Sequence, residues 1–206
     1  MQLSTILWFA LLVLLAVLFA VTVRRMSALV ARTRNLERFQ RSVESIERRF
    51  TAAVVPLVRG LDETRRHAGN PELLREQLTA AQTILAELLA EARSLSAPAQ
   101  LVLAETALAG QLERAARATD FVEHGLATMA NPGRGRDLEA QVSLKRGLLN
   151  LRHAHEAFGR IAREVAAVGP ADLAGGAALP TVGAAPLATY QGNDEDDMEG
   201  HFDPRM

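Results

Sequence analysis

The sequence predicts an all-α chain in which an N-terminal transmembrane helix continues into an antiparallel, up-down-up-down four-helix bundle of long helices, followed by a disordered C-terminal tail. Three observations carry this expectation. Leu3 to Val23 is nearly unbroken apolar sequence, apolar residues then recur at alternating steps of three and four as far as residue 168, and the remainder is rich in Gly, Ala and Pro and finishes acidic. Ala, Leu, Arg and Glu dominate the middle and lose little side-chain freedom in a helix, whereas strand-favouring clusters of Val, Ile, Thr and aromatics are missing beyond the first stretch.

The first element is the anchor, residues 1–23. Only Ser4, Thr5 and Thr22 interrupt its apolar run. At about 1.5 Å of rise per residue the run spans roughly 30 Å, the thickness of a bilayer's hydrocarbon core. Trp8 stands near its N-terminal end, where an interfacial aromatic belongs. No Lys or Arg precedes it, whereas Arg24, Arg25, Arg32, Arg34, Arg38 and Arg41 follow, opposed there only by Glu37. The positive-inside rule then puts the N-terminus outside and the bundle in the cytoplasm of a single-pass protein of the cell membrane. A cleaved signal peptide fits less well. It needs a basic leading region, a shorter apolar core and a small-x-small cleavage site, and Leu18-Phe19-Ala20 is a poor one. Without cysteine there is no lipoprotein acylation site. Arg24, Arg25, Arg32 and Arg34 are the expected membrane-surface contacts, each basic residue near an anionic leaflet contributing on the order of 1 kcal/mol.

The bundle is expected over 24–168. In its first helix Leu36, Phe39, Val43, Ile46, Phe50, Ala53, Leu57 and Leu61 share one face, and Pro56 is expected to bend it. Ala68-Gly69-Asn70-Pro71-Glu72 ends that helix at Gly69 and starts another, with Asn70 as cap, Pro71 in the first turn and Glu72 complementing the dipole. The second seam, Leu74, Leu78, Ala81, Leu85, Leu88, Ala92 and Leu95, alternates steps of four and three without error, a heptad pattern. Ser96-Ala97-Pro98 reads as a short connection with a Ser cap. The third seam is Leu101, Glu105, Leu108, Leu112, Ala115, Thr119, Val122, Leu126 and Met129, alanine-rich enough for neighbours to approach closely. Asn131 to Arg136 is the clearest loop, after which Asp137 is expected to cap a fourth helix bearing Leu144, Leu148, Leu151, His155, Phe158, Ala162 and Val165. Order is expected to end at Gly169-Pro170. The tail, 169–206, carries Asp194, Glu195, Asp196, Asp197 and Glu199, with Val182, Leu187 and Tyr190 its few docking-competent residues.

Little here carries chemistry. A formal net charge of −1 gives no reason to expect a nucleic-acid partner, and zero cysteines remove disulfides, thiolate metal sites and a thiol nucleophile. His153 and His155 diverge by about 200° on a helix and cannot share a metal. No Glu-x-x-His pair, phosphate loop, Gly-x-Ser-x-Gly or His-Glu-x-x-His occurs. Lys145-Arg146-Gly147 precedes the two histidines, but not at a phosphorelay spacing, so His155 is read as a packing residue whose ring nitrogen is satisfied by a neighbour. Gly133-Arg134-Gly135-Arg136 is read as a solvated turn. No catalytic, cofactor-binding or metal-binding residue is assigned, and no cofactor is expected.

One stretch, Arg48-Arg49-Phe50-Thr51-Ala52-Ala53-Val54-Val55-Pro56-Leu57-Val58, together with the order anchor, long helices, loose tail, resembles the LemA family. There an arginine pair and an aromatic precede an Ile-Pro-rich segment. Here the proline comes later, and Leu57 stands where the family has asparagine. Glu91-Ala92-Arg93 is similar to the family's second helix. The resemblance covers some dozen residues in motif and about 168 in architecture. It implies a membrane-bound helical bundle without established catalysis, and it transfers no functional residue.

The sequence thus points to a non-enzymatic scaffold or adaptor whose partners are the lipid bilayer and a protein not identifiable from sequence. A signal-transducing sensory bundle is the alternative, and a phosphotransfer bundle using His155 a third class. Heptads also suit a homodimer, although one apolar stripe per helix is already used by an intramolecular core.

Overall fold

The computed structural model describes residues 2–67, 70–130 and 136–174. Among them it is helical, with no strand: α1 Gln2–His67, α2 Pro71–Ser94, a 3-10 turn Ala99–Leu101, α3 Val102–Ala130, α4 Arg136–Ala167 and a short α5 Pro170–Ala174. The expected all-α class is what the chain adopts.

α1 runs 66 residues without a break, through Pro56, which lies on its exposed side. Its buried face is Leu36, Phe39, Val43, Ile46, Phe50, Val54, Leu57 and Leu61. Val54 takes the place expected for Ala53. Five turns of about 3.6 residues from Leu36 land on position 54, so the stripe follows the straight-helix period rather than the heptad. α2 starts as the sequence predicts, the Asn70 side chain accepting from the Glu72 amide at 3.0 Å, with Pro71 in the first turn and Glu72 beside the positive end of the helix. Leu74 to Ala92 are buried at every seam position.

Pro98 directly precedes the 3-10 turn, where its carbonyl accepts from the Leu101 amide at 2.7 Å. No side chain caps this start, so the expected Ser cap is not used. In α3, Ala104 is buried where Glu105 was expected, and Met129 is 41% exposed. A carboxylate one position from an alanine rotates outward because burying it unpaired costs far more than burying a methyl. Asp137 lies in the first turn of α4 rather than before it. His155 is half-buried, and Ala140, Gly147, Ala154 and Ile161 join the α4 seam.

α1 packs against α2 and α4, and α3 against α2 and α4, the α3–α4 pair being the most extensive. Cross-helix contacts pair Arg49 with Glu91, Arg93 with Glu113, His124 with Glu139 and Thr51 with His155. Gln82 with Glu123 and Gln40 with Val165 extend the second and the fourth of these pairings, and Gly60 beside Leu74 and Gly147 beside Val122 extend the first and the third. In each such pair the numbering rises on one helix as it falls on the other, so those neighbours are antiparallel. The α3–α4 approach is set by glycine. A Cβ on Gly147 would stand 2.6 Å from Val122 Cγ2 and 3.0 Å from the Ala118 carbonyl, and one on Gly125 would meet Leu144 at 2.8 Å.

Order does not stop at Gly169-Pro170. Pro170 opens α5, which packs on α1, and the Gly169 amide donates to Asp172 Oδ2 at 2.8 Å. The Gln40 amide donates to the carbonyls of Val165 and Val168, each at 3.0 Å, answering acceptors that the end of α4 leaves without helical partners. The expected Gly69 cap, the 131–135 loop and the tail from 175 onward lie outside the described residues. Among the described residues, no helix is long and apolar enough to cross a membrane.

The glycines give a direct test. Gly110→Ala, whose Cβ would meet nothing within 4 Å, should stabilise the chain by about 0.5–1 kcal/mol. Gly147→Ala should instead lose up to about 2 kcal/mol, because overpacking of roughly 1–3 kcal/mol against the Ala118 carbonyl offsets or exceeds the ~1 kcal/mol propensity gain. Chemical denaturation of the two variants and the parent measures both signs.

Candidate functional site

Two places on the described surface bring polar groups together where chemistry was considered. The first surrounds His155. Its Nε2 is hydrogen-bonded to Thr51 Oγ1 at 3.0 Å, and its ring lies 5.8 Å from that of Phe50, which in turn contacts Phe158 at 5.1 Å. Glu47, Glu156 and Arg163 border the adjoining cleft. The imidazole is thus held by a hydroxyl and a tilted aromatic ring. His153, two residues away, is exposed on another face of α4. Among the described residues no three His, Asp or Glu side chains are grouped to hold a metal ion.

The second place belongs to the arginines that follow the apolar stretch. Arg24, Arg25, Arg32 and Arg34 all ride on α1, and Arg24, Arg32 and Arg34 are exposed; the Arg25 side chain lies outside the described ones. They do not form one cluster. Arg32 lies four residues before Leu36 and seven before Phe39, so it continues the buried stripe of α1 past the last core layer. There it borders a cleft of about 580 Å³ between α1 and the α2–α3 connection. Arg38, Asn35 and Ser42 come from α1, and Ser94, Ser96 and Gln100 from across the gap, with Phe39, Leu95 and Pro98 as apolar floor. Arg24 and Arg34 do not line it.

Charge separates this cleft from its neighbours. Arg32 and Arg38 face it and no Asp or Glu lines it. Four other clefts each include a carboxylate, such as Glu63, Glu44, Asp62 or Glu156. Its size falls within the roughly 300–1,000 Å³ usual for small-molecule sites. Arg38 was visible in the sequence only as one more arginine in a basic run, and Ser94 to Gln100 only as a connection. No spacing rule joins residues some sixty positions apart. No family model, curated protein or solved structure matches the chain.

The packing reading of His155 makes a measurable prediction. His155→Leu removes one hydrogen bond to a half-buried hydroxyl and adds apolar contact with Phe50 and Phe158, so unfolding free energy should change by less than about 1 kcal/mol in either direction. A loss of several kcal/mol in urea unfolding would mean that the imidazole anchors the α1–α4 contact.

Proposed function

We propose that the chain is a non-enzymatic, membrane-anchored scaffold or adaptor: an up-down-up-down four-helix bundle carried at the cytoplasmic face by an N-terminal transmembrane helix. The observation that carries this reading is the continuity of α1. One helix holds both the apolar stretch Leu3–Val23 and the core stripe that begins at Leu36. Within that stretch Trp8, Leu12, Leu18 and Phe19 are exposed, with no protein surface covering them. Large apolar side chains crowded around a helix need an apolar surrounding, which a bilayer supplies. The order of elements resembles that of the LemA-type membrane bundles, and the sparse convergence of polar groups supports a binding rather than a catalytic role.

In this arrangement the arginines divide by height. The headgroup layer adds roughly 5–8 Å beyond the hydrocarbon on each side. Arg24 and Arg25 follow Val23 directly and fall within it. Arg32 and Arg34 stand about 14 and 17 Å along an upright helix, roughly 6–9 and 9–12 Å past the headgroup layer, where a Debye length of about 8 Å at physiological salt screens much of their attraction. The first pair therefore carries the membrane-surface contact, and the second pair contributes where α1 tilts. A sensory bundle coupled to the helix is the second reading, favoured if the bundle lies outside the cell.

The orientation is tested with Gln141→Cys, an exposed α4 position in a chain that has zero cysteines. An impermeant thiol reagent should label it only after the cells are lysed. Labelling in intact cells would overturn the cytoplasmic placement and favour the sensory reading.

A further inference from the structure

We infer that the cleft bounded by Arg32 and Arg38 is a binding site for a phosphate ester, with the phosphate held by the two guanidiniums and the organic body on the apolar floor. The inference concerns a site rather than a topology, and it stands whether or not α1 crosses a membrane.

Three observations converge on it. The two arginines leave α1 six residues apart, about 9 Å of helix rise and roughly 120° of turn, and line one cleft from two sides with no acidic residue in its wall. Arg32 occupies the next position of the core stripe, where an apolar side chain would extend the core by a layer; a cation there opens the end of the bundle instead. The competing negative end of α2 is partly answered within the chain, since the Leu95 amide donates to the Ala92 carbonyl at 3.3 Å and Ser94 Oγ to the Glu91 carbonyl at 2.7 Å. Two full cationic charges outweigh the roughly half charge that remains there.

The chemistry selects phosphate over carboxylate. A planar carboxylate is saturated by one bidentate arginine, whereas a tetrahedral phosphate offers three further acceptor oxygens to groups arriving from separate directions. Asn35, Ser42 and Ser96 add amide and hydroxyl donors of the kind that complete such a shell. Phe39, 3% exposed, forms part of the floor. A bare inorganic ion would leave most of the cleft empty, so the ligand carries an organic group. The same chemistry describes a soluble phosphate ester and the headgroup of a phosphatidic-acid-type lipid.

The experiment uses the full chain in micelles of a neutral detergent. Glycerol 3-phosphate is titrated at constant ionic strength with calorimetry, and in a parallel arm phosphatidic acid is mixed into the micelles and thermal unfolding is followed by circular dichroism. Arg32→Gln and Arg38→Gln are compared with Arg59→Gln, an exposed arginine away from the cleft. Saturable binding of glycerol 3-phosphate, weakened roughly tenfold or more in each cleft variant and unchanged in Arg59→Gln, is the expected result for a soluble ligand. A rise in unfolding temperature with phosphatidic acid alone, lost in the same two variants, assigns the site to a lipid headgroup. Absence of a saturable response to both probes, or a response equal in all three variants, overturns the proposal. The wild-type titrations decide the first of these even if a cleft variant fails to fold.

Discussion

The close approach of α3 and α4 is the constraint around which the other helices are arranged. Gly125 and Gly147 leave no room for a β-carbon against Leu144, Val122 and the carbonyls of Ala118 and Ala140. Buried Ala115, Ala118 and Ala154 extend the same narrow seam. Small residues let two backbones come near enough for dense packing, and dense packing is felt at the level of a single methylene. The two wider faces of this pair then receive the large side chains of α1 and α2, with Phe50, Phe158, Leu57 and Leu88 fully buried between helices. The surface ion pairs that stitch the rims, such as Arg93–Glu113 and Arg49–Glu91, are exposed and each is worth about 0–1 kcal/mol. They tune the register of a bundle whose spacing the glycines and alanines have already set.

Much of this was legible because helix faces repeat. The α2 seam is a period-of-seven pattern free of ambiguity, and it is buried at every position within the helix. The readings went astray by single residues where two neighbours were both plausible. Ala53 and Val54 differ by 100° of helix rotation, and only the true period over five turns decides between them. Glu105 has the spacing of a seam residue, although its charge sends it outward and Ala104 inward. The Gln40 amide that closes the end of α4, and α5 beyond it, depend on contacts between residues more than a hundred positions apart, which no local pattern contains.

The candidate site was legible only in part, for the same reason. Composition placed a run of arginines after the apolar stretch, and that run is real, but a list along the chain does not say which members converge. Arg32 and Arg38 are set apart from Arg24 and Arg34 by the connection that folds back from the far end of α2 and meets α1 at their level. Here the sequence supplies charges, while the topology chooses a subset and gives them an opposite wall.

The way α1 closes the ring has a consequence for the order of assembly. α3 and α4 are consecutive in the chain, so their seam closes a short loop and forms at low entropic cost. α1 meets α2 just as locally, but its contact with α4 spans more than a hundred residues, starting with Thr51–His155 and ending with the Gln40–Val168 bond. During synthesis the first helix therefore emerges with Leu36, Phe39 and Val43 unpaired on one side, and it waits for the last long helix. Whatever shields that stripe in the interval, whether a chaperone or transient pairing with α2 alone, governs how much of the nascent chain reaches the closed bundle.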